Sequence, residues 1–191
     1  MAVQKILGID PGSRKTGYAL LVEEGRNFRA AECGVISTTH LEDQVDRLQF
    51  IYNKVTALLN NCSPTACAVE TPVYGIDPLA MLKLGRAQAA ALLAISGQNL
   101  PVAEYYPKAV KKSVTGNGNA GKEQVAWMLK KLIRLPDKKL STDATDALAV
   151  AWCHLSAGGA AGQQSRKYHQ NNRKSSWKAF VEENPDKIKS S

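Results

Sequence analysis

Apolar and polar positions change period several times along this 191-residue chain. The first stretch, about residues 4 to 10, is a nearly continuous apolar run, Ile6-Leu7-Gly8-Ile9, that stops at Asp10 and Pro11. Short apolar runs bounded by turn formers predict strands. Gly17 to Val22 and Phe28 to Ile36 read the same way, parted by the charged turn Glu23-Glu24-Gly25-Arg26-Asn27. From Leu41 to Leu59 the period lengthens, and Val45, Leu48, Ile51, Tyr52, Val55, Leu58 and Leu59 recur at helical spacing. A buried-type strand, Ala66-Cys67-Ala68-Val69, then ends at Glu70 and gives way to the loop Thr71-Pro72-Val73-Tyr74-Gly75.

The second half alternates. A helix rich in Ala and Leu is predicted from about Pro78 to Ser96, and its Ala87-Gln88-Ala89-Ala90-Ala91 stretch permits close packing. The short strand Val102 to Tyr105 precedes two helical pieces separated by Thr115-Gly116-Asn117-Gly118-Asn119-Ala120-Gly121. Ser141 or Thr142 caps a last helix running to about Leu155. Strands first, then helices alternating with strands, imply an α/β fold with a mixed five-stranded sheet flanked by helices. The globular domain is expected to span residues 1–157. From Gly158 the composition turns polar and basic, so residues 158–191 read as a flexible tail. Within it, Trp177, Phe180, Val181 and Ile188 could form one short amphipathic turn or helix.

Charge changes the picture more than length does. The chain carries a net charge of +8 with a pI near 9.4, which favours a polyanionic partner. The tail, with seven Lys/Arg against three Asp/Glu, holds +4 of that charge. No apolar stretch reaches the ~18 residues of a membrane span, and the opening Met1-Ala2-Val3-Gln4-Lys5-Ile6 makes a poor signal peptide. Cys33, Cys62, Cys67 and Cys153 are scattered without a second pair or a His cluster, so reduced thiols in a cytoplasmic protein are expected, with no membrane partner.

Four acids then stand out inside a basic chain. Asp10 and Glu70 each end an apolar run, and Asp143 and Asp146 lie three apart, on one face of the last helix. Each has a plain alternative: Asp10 in an Asx-type turn, Glu70 as a solvated strand end, Asp143 and Asp146 as helix-start acids favoured by the macrodipole. Against the last, Asp146 leads into Ala147-Leu148-Ala149-Val150-Ala151-Trp152, apolar all round and therefore buried. Converging carboxylates repel each other unless a cation lies between them, and hard oxygen donors suit Mg²⁺ or Mn²⁺. Read together, the four acids predict a divalent-metal site of the kind a nuclease uses.

These residues also carry a family resemblance. Ile9-Asp10-Pro11-Gly12, Val69-Glu70, Leu82-Lys83-Leu84-Gly85, Val114-Thr115-Gly116-Asn117-Gly118 and Asp143-Ala144-Thr145-Asp146-Ala147-Leu148-Ala149 resemble, in order and spacing, the RuvC family of Holliday junction resolvases over about residues 4–157. The resemblance implies a ribonuclease H-like fold and a homodimer that nicks opposed strands of four-way junction DNA, leaving 5′-phosphate and 3′-hydroxyl ends. It places the catalytic, metal-binding acids on Asp10, Glu70, Asp143 and Asp146, with two Mg²⁺ per site and Mn²⁺ able to substitute. It implies the RuvA and RuvB branch-migration proteins as partners, and Lys111 and Lys122 as basic residues near the cut strand.

One position departs from the family. A Phe that often follows the strand-end Glu, and is held to wedge into the junction, corresponds here to Val73, with Tyr74 next to it. Tyr74 is therefore the residue expected to stack on a base. Lys112 matches less well and reads as a solvated surface lysine. His154 lies ~16 Å along the helix from Asp143 at 1.5 Å per residue, so it reads as structural. Three other functions remain to be weighed: a related ribonuclease H-like nuclease acting on RNA or another branched substrate, an actin-like ATPase suggested by the Asp10 to Gly17 stretch, and a silent junction binder. The ATPase needs far more chain, and the full set of acids argues against silence.

Overall fold

The strand-forming runs pair in a way that brings three strand ends to one edge. The computed structural model describes residues 3–73, 77–137 and 139–158. Its elements are β1 (Lys5–Asp10), β2 (Lys15–Glu24), β3 (Asn27–Ser37), α1 (Gln44–Cys62), β4 (Ala66–Glu70), α2 (Pro78–Ser96), β5 (Val102–Tyr105), α3 (Pro107–Thr115), α4 (Lys122–Leu132) and α5 (Thr142–Ser156). The sheet order is β3-β2-β1-β4-β5. The first three strands form an antiparallel meander, while β4 and β5 run parallel to β1. The carboxyl ends of β1, β4 and β5 therefore share one edge, where open α/β sheets place their sites.

Side chains alternate across this sheet and feed two cores. Ile6, Ala19, Leu21 and Ala68 face a cluster closed by α3, α4 and α5. Leu7, Ile9, Leu20 and Val69 face the other, closed by α1 and α2. At ~25 cal/mol per Å² of apolar surface removed from water, these two clusters supply the main driving force for folding.

The expected elements are present, with shifts at their ends. Helix α1 starts at Gln44 rather than Leu41 because Asp43 is its N-cap, accepting from the Val45 and Asp46 amides at 2.7 and 3.2 Å. Strand β2 is longer than expected because Lys15 and Glu23–Glu24, charged enough to read as turns, pair with β3. One expectation is corrected: α2 is long and apolar enough, by length and composition, to cross a membrane. Its mid-helix Lys83 and Arg86 interrupted the apolar run, and its inner face of Ala87, Ala90, Ala91, Ala94 and Ile95 is buried in the second core. Burial by one face in this way is how a surface helix of a globular domain packs. The tail expected from Gly158 lies, past that first residue, outside the described residues.

Candidate active site

Each acid reaches the shared edge by its own local device. Asp10 ends β1 and pairs in register with Gly17 of β2. The turn between them is tied by Thr16, whose hydroxyl donates to the Gly12 carbonyl at 3.2 Å and accepts from the Gly12 amide at 3.4 Å. Thr38, just past the end of β3, braces the same turn, its hydroxyl within 3.2 Å of the Ser13 and Arg14 carbonyls. Glu70 ends β4, next to β1, and pairs with Tyr105 of β5.

Asp143 and Asp146 arrive on the first turns of α5, capped by Ser141, which accepts from the Ala144 amide at 3.3 Å. What lets that helix press against the sheet is a pair of glycines. A methyl group on Gly17 would overlap the Asp143 carbonyl. One on Gly8 would overlap the Ala147 carbonyl and approach the Ala151 nitrogen at 2.7 Å. Glycine inside a strand marks such close backbone approach. Asp10, its register partner Gly17 and the backbone of Asp143 are thereby stacked in sequence.

The four carboxylates share one electrostatic field. Burial pushes the Asp10 carboxyl up from 3.8 to about 7, aided by the negative charges of Asp146 and Asp143 and opposed by Lys122. Burial also pushes Glu70 up from 4.5 to about 7, aided by Asp10 and Asp146 and opposed by Lys122 and Lys111. The Lys122 ammonium donates to Asp146 Oδ2 at 2.7 Å, and this hydrogen bond is the main cause that holds its pKa above the usual value. Since the Lys122 side chain is 66% exposed, the ion pair is weak and easily exchanged.

The structure thus brings Asp10, Glu70, Asp143, Asp146, Lys122 and Lys111 into one region. Lys112 is exposed. His154 is buried and shares a 2.9 Å hydrogen bond through Nδ1 with the Tyr105 hydroxyl, and burial lowers its pKa. Tyr74 lies outside the described residues, and Val73 before it is exposed.

The donor set suits a hard divalent cation. Two of its carboxylates are held near neutrality in pKa by burial and mutual repulsion, a condition a positive ion relieves. Among the described residues, no three His, Cys, Asp or Glu side chains stand close enough to enclose an ion as they are. The Lys122 ammonium meanwhile occupies Asp146 Oδ2 at 2.7 Å.

The acids and both lysines singled out in the sequence fall in one region, but the residues that gather them there were missed. Gly8 and Gly17 carried a usable signal, being glycines inside apolar strand runs. Thr16 and Thr38 carried none, since their contacts arise only once β2 and β3 pair.

A mixed β3-β2-β1-β4-β5 sheet with acids at the ends of β1 and β4 and on the start of α5 defines a ribonuclease H-like α/β protein. A sequence model of the family described as crossover junction endodeoxyribonuclease RuvC matches residues 6–154. The protein of that name from Salinibacter ruber is 42% identical, aligned over 96% of this chain and 98% of its own length. The one from Porphyromonas gingivalis is 39% identical over 96% of each. A solved structure described as T. thermophilus RuvC in complex with Holliday junction substrate superposes with a TM-score of 0.74 at 30% identity, covering 81% of this chain and 94% of that one. The chain belongs to the RuvC family of crossover junction endodeoxyribonucleases.

Proposed function

We propose that this chain is a structure-selective endonuclease that resolves Holliday junctions in homologous recombination and DNA repair, by paired nicks that leave 5′-phosphate and 3′-hydroxyl ends. The observation that carries the reading is the gathering of four acids at one sheet edge in a chain matched along its domain by junction endodeoxyribonucleases. Residues up to about 157 form the nuclease domain, and the basic tail lies outside the catalytic unit.

Asp10, Glu70, Asp143 and Asp146 are the catalytic acids and would hold Mg²⁺, two ions per site, with Mn²⁺ able to substitute. Divalent ions so held supply charge neutralisation and water activation for in-line displacement at phosphorus. The chain's own residues set the conditions. Asp10 and Glu70, with pKa values near 7, ionise fully when positive charge compensates their burial. Lys122 leaves Asp146 for the DNA phosphate, because its exposed ion pair costs little to break. Lys111, which already lowers the field at Glu70, neutralises a neighbouring phosphate. Tyr74 stacks on a base where the junction opens.

Paired nicks call for a homodimer, and α2 supports one by exposing Leu79, Leu82 and Leu93 on its outer side. The family match further supports a cytoplasmic protein that works with the RuvA and RuvB branch-migration proteins. The test is incubation with synthetic four-way and linear duplex DNA in Mg²⁺. Symmetrical nicks confined to the junction are expected. Equal cutting of the linear duplex, cutting of RNA in preference, or no cutting would overturn the proposal.

A further inference from the structure

The polar side chains buried among the described residues are Thr16, Thr38, Gln88 and His154. A buried polar group costs ~1–3 kcal/mol unless it finds a partner, so each such position calls for a reason. Thr16 and Thr38 hold the turn that follows Asp10. His154 ties α5, which carries Asp143 and Asp146, to Tyr105 at the end of β5. Three of the four therefore brace segments that carry acids.

Gln88 stands apart in sequence, on α2, where the other buried residues are Ala87, Ala90, Ala91, Ala94 and Ile95. Its Nε2 donates to Glu104 Oε2 at 2.7 Å, a short, charge-assisted bond. The same Nε2 is 3.4 Å from Thr71 Oγ1, and that hydroxyl is 3.5 Å from Glu104 Oε2; both are long for hydrogen bonds. Thr71 directly follows Glu70, and its amide donates to the Tyr105 carbonyl at 2.8 Å, extending the β4–β5 ladder by one rung. Along β4, Ala68 faces the α5 core and Val69 the α2 core, so alternation turns Glu70 towards α5. Gln88 reaches in from the opposite face. It fastens the residue after Glu70 without occupying the Glu70 carboxylate.

We infer that Gln88 and Glu104 clamp Thr71 and thereby set the direction of the Glu70 carboxylate, making Gln88 a positioning residue for the metal site. This rests on the function proposed above for Glu70. Without the clamp, β4 frays at its last residue and the carboxylate samples directions that a bound ion must then restrict. Groups that hold a metal ligand directly change metal affinity or activity by about 10- to 100-fold when lost, and the clamp, acting one residue further out, is expected at the lower end of that range.

Gln88→Leu keeps the bulk and removes both contacts, whereas Glu104→Gln keeps an oxygen that can accept from Gln88. Mn²⁺ is titrated into the DNA-free full-length protein and followed by thermal shift, and junction cleavage is measured in parallel. For Gln88→Leu, the half-saturating Mn²⁺ concentration is expected to rise about 10-fold and kcat to fall by a similar factor. KM for the junction stays within about twofold, since the contacts lie away from the lysines. Glu104→Gln recovers most of both, and a purely structural role would not produce that split. Should Gln88→Leu lose its far-UV CD signal, Thr71→Val carries the same test. A wild-type Mn²⁺ titration in a folded Gln88→Leu or Thr71→Val protein would overturn the clamp. Because the titration needs no DNA, failure of the wild type to cut junctions counts against the proposed function and not against this inference.

Discussion

Helices α2 and α5 are both rich in alanine, yet one lies on the sheet by a single face while the other is enclosed along most of its length. In α5, Ala144 and every residue from Ala147 to Ala151 are buried, as are Cys153 and His154. In α2 the buried residues follow one stripe, and Leu79, Leu82 and Leu93 remain 50–68% exposed. The cause lies in what each helix meets. Helix α5 rests on Gly8 and Gly17, whose missing side chains let backbone touch backbone. Helix α2 packs chiefly against α1 and only lightly on β4 and β5, and a methyl group on its Gly85 would meet open space. Small residues thus serve precision on one side of the sheet and leave an open apolar face on the other.

The sharpest way to break that comparison is to add one methyl group on each side. Gly17→Ala forces the first turn of α5 away from β2, with an expected loss of about 1–3 kcal/mol. Cleavage should fall further than stability implies, because Asp143 moves with the turn. Gly85→Ala, in the middle of α2 with open space around it, should instead stabilise by about 0.5–1 kcal/mol. Chemical denaturation of both variants checks the pair; equal effects would remove the distinction between the helices.

A second, comparable effect is electrostatic and confined to the α5 side. Asp10 and Glu70 have folded pKa values near 7 against ordinary values of 3.8 and 4.5. Below about pH 3 both are neutral in either state. As pH rises from about 4 to 7, the unfolded chain ionises them freely while the fold resists, so stability of the metal-free protein falls and then levels off above 7. Between pH 5 and pH 8 the loss is expected at about 1–3 kcal/mol, after allowance for partial exposure. Asp10→Asn should flatten that profile, and Mn²⁺ should reverse its sign. A metal-free melting temperature that rises from pH 5 to pH 8 would show that the acids are not mutually strained.

The smallest effect on the fold belongs to the open face of α2. Leu82→Glu with Leu93→Glu should change stability by no more than about 0.5 kcal/mol, because both side chains are exposed. Sedimentation at micromolar concentration should shift from dimer to monomer. An unchanged sedimentation coefficient would place the partner surface elsewhere.

How far the sequence could be read follows the range of the interactions involved. Helix α2 and strand β5 fall where apolar period and turn residues put them, because those signals are local. The acids stood out for the same reason, Asp10 and Glu70 as charges that end apolar runs, and Asp143 and Asp146 as a pair three apart just ahead of one. The start of α1 was not, because Asp43 had to be recognised as a cap among Glu42, Asp43 and Asp46. Nor were the contacts of Gly8 and Gly17 with α5, which join residues more than a hundred positions apart through a register that only the folded sheet defines. The clamp around Gln88 was hidden inside an alanine-rich stretch that read simply as close packing.

The central claim is that Asp10, Glu70, Asp143 and Asp146 form one metal-dependent catalytic centre for junction cleavage. Asp146→Asn tests it most directly, measured for junction binding by gel shift and for cleavage in Mg²⁺ on the same preparation. Binding is expected to stay within about twofold while cleavage falls by about 10³-fold or more, the loss of several kcal/mol of transition-state stabilisation. Cleavage retained at near wild-type rate would contradict the account.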